Sequence, residues 1–133
     1  KVFTSINTIW ADKPYHMRAI NDGDFLYIWN GWADGKYAFK NESMSGLSFK
    51  AMRKAAETDP AIAKRVELLV HRVTEEMYDI RTDPSCLHNL IAKPNDAFTP
   101  RSSAMSKALW HQMKRTKDPL LKKFQQQVEL ALD

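Results

Sequence analysis

The first third of the chain alternates between hydrophobic and polar positions in a way that is typical of β-strands. Val2–Trp10 is rich in β-branched and aromatic residues, and Ala11–Pro14 interrupts the pattern. Two further alternating segments, His16–Asn21 and Phe25–Asn30, are separated by Asp22-Gly23, a dipeptide that favours a two-residue hairpin turn with positive φ. The pattern therefore predicts three strands, of which the last two form an antiparallel pair.

Helical spacing of hydrophobic residues begins at Ser48–Glu57, which carries Met52, Ala55 and Ala56 on one side. Three later helical stripes each follow a helix start signal, a side-chain oxygen followed by the fixed φ of proline. After Asp59-Pro60 the stripe consists of Ile62, Val66, Leu69 and Val70. After Thr99-Pro100 it consists of Ala104, Met105, Ala108, Leu109 and Met113. After Asp118-Pro119 it consists of Leu121, Phe124, Val128 and Leu132. The sequence therefore predicts four amphipathic helices, the last two of them paired.

One more strand lies between these helices. Glu76–Ile80 alternates and predicts a half-buried strand that returns to pair with the hairpin. Asp83-Pro84 is another helix start signal, and Leu87, Leu90 and Ile91 follow at a spacing that predicts one or two helical turns. The predicted fold class is α+β: a small antiparallel sheet of about four strands with helices packed on it, forming a single domain over residues 1–133.

Residues 31 to 46 show no clear periodicity. Trp32, Tyr37 and Phe39 stand among glycines, an aspartate and lysines. Aromatic rings mixed with lysines are compatible with a ligand platform. Because no repeat or alternating groove pattern accompanies them, the interpretation we favour is an ordered loop whose aromatic side chains hold it against the core.

Composition and charge narrow the classes of function. The 133 residues are 44% hydrophobic and 27% charged, and no apolar segment approaches the ~20 residues that cross a bilayer. A formal net charge of +4 favours a polyanionic partner, which could be nucleic acid, an anionic membrane or a sulfated polysaccharide. The basic residues of the last two helices lie mostly on the predicted solvent side without base-stacking aromatics, so we expect no nucleic-acid partner and no membrane partner. Because the chain begins with Lys1, we expect it to come from a longer or processed polypeptide.

No group of residues has the spacing of a catalytic or metal centre. Four different predicted elements carry the four histidines His16, His71, His88 and His111. Asp22 and Asp24 belong to a glycine-containing turn, and they supply fewer oxygens than a hard cation needs. The chain has no glycine-rich phosphate loop and no recognisable Ser/His/Asp or Cys/His arrangement. We therefore predict no catalytic residue, no metal site and no cofactor in this chain.

Two segments resemble sulfatases of the alkaline-phosphatase superfamily. Glu76 to Leu90 is similar to Glu-(Leu/Met)-Tyr-Asp-(Leu/Ile)-x-x-Asp-Pro-x-Glu-x-x-Asn-Leu near the C-terminal end of these enzymes, with Cys86 in place of a glutamate. Tyr15–Ile20 followed by Phe25–Asn30 resembles their Tyr-Pro-Met-Arg-Ala-Ile and Tyr-Ile-Trp-Asn strand pair, with His16 in place of a proline. The similarity covers most of residues 2 to 92 and is closest to the branch of the heparan N-sulfatase (N-sulfoglucosamine sulfohydrolase) type.

The resemblance implies that the chain is the C-terminal subdomain of a sulfatase, docked against the catalytic α/β domain of the same polypeptide. Such a parent hydrolyses sulfate esters or N-sulfate groups of sugars, using a divalent cation (calcium) and a formylglycine made from Cys or Ser in a Cys/Ser-x-Pro-x-Arg motif. Cys86 is followed by Leu-His-Asn rather than by that motif, so we expect the chain alone to be inactive. Sulfatases that act on glycans are commonly exported, which implies an exported parent in the periplasm, the lysosome or the medium.

By position, the resemblance implies that Asn7, Thr8 and Arg18 contact a sulfated sugar or hold the wall of the substrate pocket. Arg18 is equally suited to a salt bridge across the seam between the domains. The surface that meets the catalytic domain would be an exposed apolar patch on the isolated chain, and such patches promote self-association. A different class of function, a free-standing basic module that binds nucleic acid or sulfated glycan, also fits the charge.

Overall fold

The computed structural model describes residues 1–9, 13–91 and 99–128, and the predicted hairpin lies at the centre of their fold. Ile20 stands opposite Tyr27 where the two strands of the hairpin pair, and Phe3 on the preceding strand stands opposite Ile20. The three antiparallel strands are β1 (Val2–Ile9), β2 (Lys13–Asn21) and β3 (Phe25–Asn30). The three predicted strands are therefore confirmed, while Trp10 lies outside the described residues.

The turn between β2 and β3 is tight, but its centre is one residue later than predicted. The backbone N–H of Asp22 donates to the carbonyl of Phe25 at 3.1 Å. The Asp22 carboxylate accepts from the backbone N–H groups of Asp24 (3.1 Å) and Phe25 (2.9 Å). Gly23 has a φ of 104°, a conformation that a side chain would strain. Gly23 and Asp24 are therefore the two central residues, and the hydrogen bonds to the Asp22 carboxylate stabilise the turn.

The start of β2 also differs from the prediction. The strand begins at Lys13, so Pro14 lies within it although residues 11–14 were predicted to break the strand pattern. Proline is tolerated near the first residue of a strand, where a missing N–H costs little. Ile6 pairs with Met17 and Thr8 pairs with Pro14, so two residues of β2, 15 and 16, face the single residue 7 of β1. This β-bulge increases the local twist at the end of the sheet.

A fourth strand, β4 (Glu75–Asp79), pairs antiparallel with β3, and Met77 stands opposite Tyr27. The strand order in the sheet is β1-β2-β3-β4, which makes β1 and β4 the edges. The predicted return of this segment to the hairpin is confirmed. The α+β fold class, with an antiparallel sheet of about four strands and helices, is confirmed as well.

The last two helices, α3 (Thr99–Arg115) and α4 (Leu121–Val128), pack on one face of the sheet and on each other. α3 begins at its Thr-Pro signal, whereas α4 begins at Leu121, two residues after the proline of its Asp-Pro signal. The Asp118 carboxylate still accepts from the backbone N–H of Leu120 at 2.9 Å. The main core consists of Ile20, Tyr27, Trp29, Met77, Met105, Leu109, Met113 and Phe124. The predicted stripe positions lie in this core or pack against it, except that Ala104 is exposed and Leu132 lies outside the described residues.

The two earlier helices, α1 (Leu47–Ala55) and α2 (Pro60–Val70), pack against each other. The Asp59 carboxylate accepts from the backbone N–H groups of Ala61 (2.8 Å) and Ile62 (3.2 Å), as the Asp-Pro signal predicts. A short 3-10 helix, Glu42–Ser45, leads into α1. Side chains of both helices meet Met17 of β2 around one cavity, so this helix pair lies toward the second face of the sheet.

The predicted short helix after Asp83-Pro84 is wrong, because residues 83–90 form turns. The Asp83 carboxylate does accept backbone N–H groups as a helix cap would, from Leu87 (2.8 Å) and His88 (2.8 Å). Cys86, however, has a φ of 51°, which right-handed helix excludes. The chain then runs along the outer edge of β4, where the backbone N–H of Leu90 donates to the Met77 carbonyl at 2.8 Å. The segment therefore covers a sheet edge that would otherwise be unpaired.

Candidate functional site

Two of the three predicted substrate contacts, Asn7 and Thr8, are exposed residues near the end of the edge strand β1. Asn7 faces the β-bulge, and Thr8 stands opposite Pro14. Their amide and hydroxyl groups can each form hydrogen bonds with a sugar hydroxyl or a sulfate oxygen. The strand end thus presents two polar side chains to solvent.

Arg18, the third predicted contact, is 5% exposed and is engaged inside the chain. Its Nε donates to Asp118 Oδ2 at 2.6 Å and its Nη2 donates to Asp118 Oδ1 at 3.2 Å. Its Nη1 donates to the carbonyls of Ile6 (3.0 Å) and Met17 (2.8 Å). The guanidinium therefore ties β1 and β2 to the connection between α3 and α4. Arg18 thus forms a salt bridge, but with a residue of this chain rather than across a domain seam. Contact of Arg18 with a sugar or with another domain stays a prediction.

The surroundings of the Arg18–Asp118 pair favour an ionised Asp118 carboxylate and a neutral imidazole on the nearby His16. Burial alone would raise the pKa of the Asp118 carboxyl, but hydrogen bonds from Arg18 and from the Leu120 N–H, together with the charge of Arg18, lower it overall. Burial lowers the pKa of His16, and the charges of Arg18 and Lys123 lower it further, against an opposing effect of Asp118. Near neutral pH His16 is therefore uncharged and adds no positive charge for an anionic ligand.

Beside this strand end lies a cluster of aromatic rings that holds the 31–46 loop. The Tyr15 ring centroid is 5.3 Å from that of Trp32, 4.8 Å from Phe39 and 5.4 Å from Tyr37. The Tyr15 hydroxyl donates to the carbonyl of Ala38 at 3.1 Å. The Trp32 and Phe39 pairs are edge-to-face, and such pairs add about 0.5–1.5 kcal/mol each beyond the burial of their area. The interpretation of these aromatics as residues that hold the loop against the core is consistent with this packing.

Three of these rings, those of Tyr15, Tyr37 and Phe39, line a cavity of about 590 Å³, which we call the aromatic–basic cleft. It is lined by Lys13, Tyr15, Tyr37, Ala38, Phe39, Lys40, Met44, Ser45, Phe49, Arg53 and Val70. Three of these residues are cationic and none is acidic. The cations come from β2, the loop and α1, which only the tertiary structure brings together. Ile9 packs on the Tyr15 cluster and pairs with Lys13, so the cleft adjoins the strand end that carries Asn7 and Thr8.

The residues of β4 that carry the resemblance to sulfatases serve the interior of the molecule. Glu76 is fully buried, accepts from Asn30 Nδ2 at 2.6 Å and from the Tyr78 hydroxyl at 2.5 Å, and has Arg72 Nε at 3.5 Å. The Asn89 side chain accepts from the backbone N–H of Met77 (2.9 Å) and donates to the Glu75 carbonyl (3.2 Å). These contacts close the corner between β4 and the turns that follow it.

Sequence reasoning missed Lys13, Lys40 and Arg53 as members of one site. The only signal was the mixture of aromatics and lysines between residues 31 and 46, because α1 and β2 lack any local feature that links them to this loop. Asn7 and Thr8 are brought to the same end of the sheet as the cleft, whereas Arg18 is buried on the side of α3 and α4, where it meets Asp118.

The described residues do not supply the groups that a sulfatase would use for catalysis. Among them, no three His, Cys, Asp or Glu side chains lie close enough to hold a metal ion. Cys86 is half-buried, and burial together with the charge of Asp83 raises the pKa of its thiol. These residues therefore do not fit the calcium and formylglycine that the resemblance implies for the parent.

In the described part of the chain, no helix combines the length and the apolar character needed to cross a membrane. Comparison of the sequence with models of known protein families finds no match, and comparison with curated proteins finds none either.

Proposed function

We propose that this chain is the C-terminal subdomain of a sulfatase that hydrolyses sulfate esters or N-sulfate groups of sugars. The catalytic residues, the calcium and the formylglycine belong to the rest of the parent polypeptide. This chain supports the catalytic domain and forms part of the wall of the substrate pocket.

The observation that carries the proposal is the adjacency of the two sulfatase-like segments. Tyr15–Ile20 lies in β2, Phe25–Asn30 forms β3, and Glu76–Asp79 lies in β4, so segments some distance apart in the sequence occupy three consecutive strands. Met17 pairs with Asn30, and Tyr78 pairs with Leu26. The two segments therefore contribute to one continuous part of the sheet, as the parts of a single subdomain would.

The proposal gives the predicted site residues two different roles. Asn7 and Thr8, which are exposed, contact the sugar at the strand end. Arg18 acts as a positioning residue, because its hydrogen bond to the Ile6 carbonyl holds the backbone immediately before Asn7. Loss of that bond would loosen the strand end without removing any group that touches the substrate.

The edge strand also supplies a surface for the catalytic domain. Val2 and Ile6 are 65% and 40% exposed, and alternation along β1 puts them on the same face as Thr4. Exposed apolar side chains on an edge strand are a common site of association. In the parent this face would lie against the catalytic domain, and in the isolated chain it promotes self-association.

Activity assays with two polypeptides test the proposal. We expect the isolated 133-residue chain to give no turnover above blank with an aryl sulfate or with N-sulfated glucosamine in the presence of calcium. The polypeptide that includes the residues encoded upstream of Lys1 should turn over at least one of them, and those residues should contain Cys/Ser-x-Pro-x-Arg. Turnover by the isolated chain, or an upstream region without that motif, would overturn the proposal.

Variants of the longer polypeptide test the contacts of the strand end. Replacing Thr8 with alanine should raise KM for the sugar substrate by about 2- to 10-fold, the effect of one lost hydrogen bond. Thr4→Ala is the matched control, because Thr4 is an exposed threonine of the same strand but farther from the strand end. Equal effects of the two substitutions would exclude a specific contact at Thr8.

A further inference from the structure

We propose that the aromatic–basic cleft is a binding site for an anionic saccharide, and that this chain binds such a ligand without any catalytic domain. The site is separate from the contacts of Asn7 and Thr8, and it does not require that the chain belongs to a hydrolase. Its ligand is a sugar that carries sulfate or carboxylate groups.

The size and the walls of the cleft suit a small number of sugar rings. Its volume of about 590 Å³ falls within the roughly 300–1,000 Å³ that is usual for sites that bind small molecules. Tyr15, Phe39 and Phe49 form its inner wall, while the Tyr37 ring is 37% exposed. The C–H groups on one face of a pyranose ring are apolar and pack on aromatic faces, so Tyr37 provides a surface on which a sugar can lie.

The cations around the cleft provide the selectivity for anionic groups. Lys13, Lys40 and Arg53 lie on three different elements around the same cavity, and no carboxylate lines it. Lys13 and Arg53 are exposed, and neither forms an ion pair within the described residues. Cations that converge on a concave surface raise the local positive potential, and both ammonium and guanidinium groups donate charge-assisted hydrogen bonds to sulfate or carboxylate oxygens.

The geometry favours a saccharide over a nucleic acid. Nucleic-acid sites that lack sequence preference follow the phosphate backbone with a long basic groove and stack several bases on exposed rings. Here the Tyr15, Trp32 and Phe39 rings pack mainly on one another, at centroid distances of 4.8 to 5.5 Å, which leaves few faces for bases. A short concave site with one exposed ring matches a sugar better than a strand of bases.

Binding measurements on the isolated chain test this inference. Isothermal titration calorimetry would compare a heparin-derived tetrasaccharide, which is sulfated, with an oligogalacturonate, which carries carboxylates only. A neutral chitin tetrasaccharide and a short single-stranded DNA serve as the other two probes. We expect binding of at least one anionic saccharide and no measurable binding of the neutral one. A preference between the two anionic probes identifies the anion that the cleft recognises.

Variants locate the binding in the cleft. Lys13→Ala combined with Arg53→Ala should weaken the binding by about tenfold or more, because two charge-assisted hydrogen bonds are lost. Tyr37→Ala should weaken it as well. The matched control combines Lys54→Ala and Lys122→Ala, which remove the same charge from exposed positions that do not line the cleft. We expect this control to stay within about twofold of the unmodified chain, since exposed charges outside the site act only through a screened field.

Three results would overturn the inference. The first is no binding of either anionic saccharide. The second is equal weakening in the cleft variant and in the charge-matched control, which would mean a diffuse electrostatic attraction. The third is that the DNA binds as tightly as the anionic saccharides and that its binding is weakened equally by the Lys13 and Arg53 substitutions. Circular dichroism of each variant checks that the fold is retained.

Discussion

The buried ion pair between Arg18 and Asp118 offers the sharpest test of how this fold is held together. We consider Asp118→Asn, because asparagine is as good a helix cap as aspartate and can still accept from the Leu120 N–H that Asp118 holds at 2.9 Å. The substitution therefore removes the negative charge and leaves the start of α4 in place. Arg18 becomes a buried cation without its counterion.

The expected loss of stability follows from the burial of the pair. The side chains of Arg18 and Asp118 are only 6% and 11% exposed, and they meet at 2.6 Å. Removing one member of such a buried pair costs about 3–5 kcal/mol, because the remaining charge is desolvated and uncompensated. The lower end, about 3 kcal/mol, applies here, since asparagine keeps part of the hydrogen bonding.

Urea unfolding followed by tryptophan fluorescence measures this loss, and the fully buried Trp29 provides a probe. A decrease of about 3 kcal/mol lowers the urea midpoint by about 1–3 M for a domain of this size. The matched control is Asp24→Asn, which breaks an ion pair with Arg81 whose side chains are both 54% exposed, and which should cost no more than about 1 kcal/mol. If Asp118→Asn were no more destabilising than Asp24→Asn, the structural role of the pair would be refuted.

The same pair predicts a dependence on acid. The pKa of Asp118 is lowered in the folded chain, so its contribution to stability is complete above the ordinary carboxyl value of 3.8. That contribution is lost as the pH falls from that value through the lower, folded pKa. Asp118→Asn should remove this part of the pH dependence, and the difference in unfolding free energy between the two proteins should shrink as the pH falls below about 4.

Three further predictions concern other parts of the fold. In Gly31→Ala the new Cβ would lie 2.5 Å from a ring carbon of the buried Trp29, so urea unfolding should show a loss of about 1–3 kcal/mol. Asp83→Ala removes the acceptor of two backbone N–H groups in the turn after β4, and thermal unfolding should show a loss of about 1 kcal/mol. Tyr78→Phe deprives the buried Glu76 carboxylate of its 2.5 Å donor, and urea unfolding should show a loss of about 1–3 kcal/mol; unchanged stability would contradict the role of that contact.

Much of the secondary structure could be predicted because its signals are local. Alternation identified Phe25–Asn30 to the residue, and the Asp59-Pro60 signal marks the start of α2 because the capping contacts span only two or three residues. The helix predicted after Asp83 is wrong, and the Asp-Pro start signal gives no indication of the cause. Cys86 takes a left-handed conformation, and the chain uses its backbone groups to cover the edge of β4. Whether this segment forms a short helix or pairs with a sheet edge depends on β4, which is not part of the local sequence signal.

The candidate site was less predictable than the fold. Asn7, Thr8 and Arg18 were proposed from a resemblance, and nothing in the spacing of these residues indicates that two are exposed and one is buried. The cations of the cleft are each ordinary exposed residues in their own segments. Only their arrangement around one cavity lets the three cations act on the same ligand.

The sequence alone determined the elements of this protein: a tight hairpin, a returning strand and four helices, three of them with a start signal, together with a basic character. It could do so because hydrophobic periodicity, caps and turns act between neighbours in the chain. Only the tertiary structure decided that Arg18 meets Asp118, one hundred residues later, and that Lys13, Lys40 and Arg53 surround one cavity. Such contacts depend on which faces the sheet and helices bury together, a property of the assembled layers that no single segment encodes.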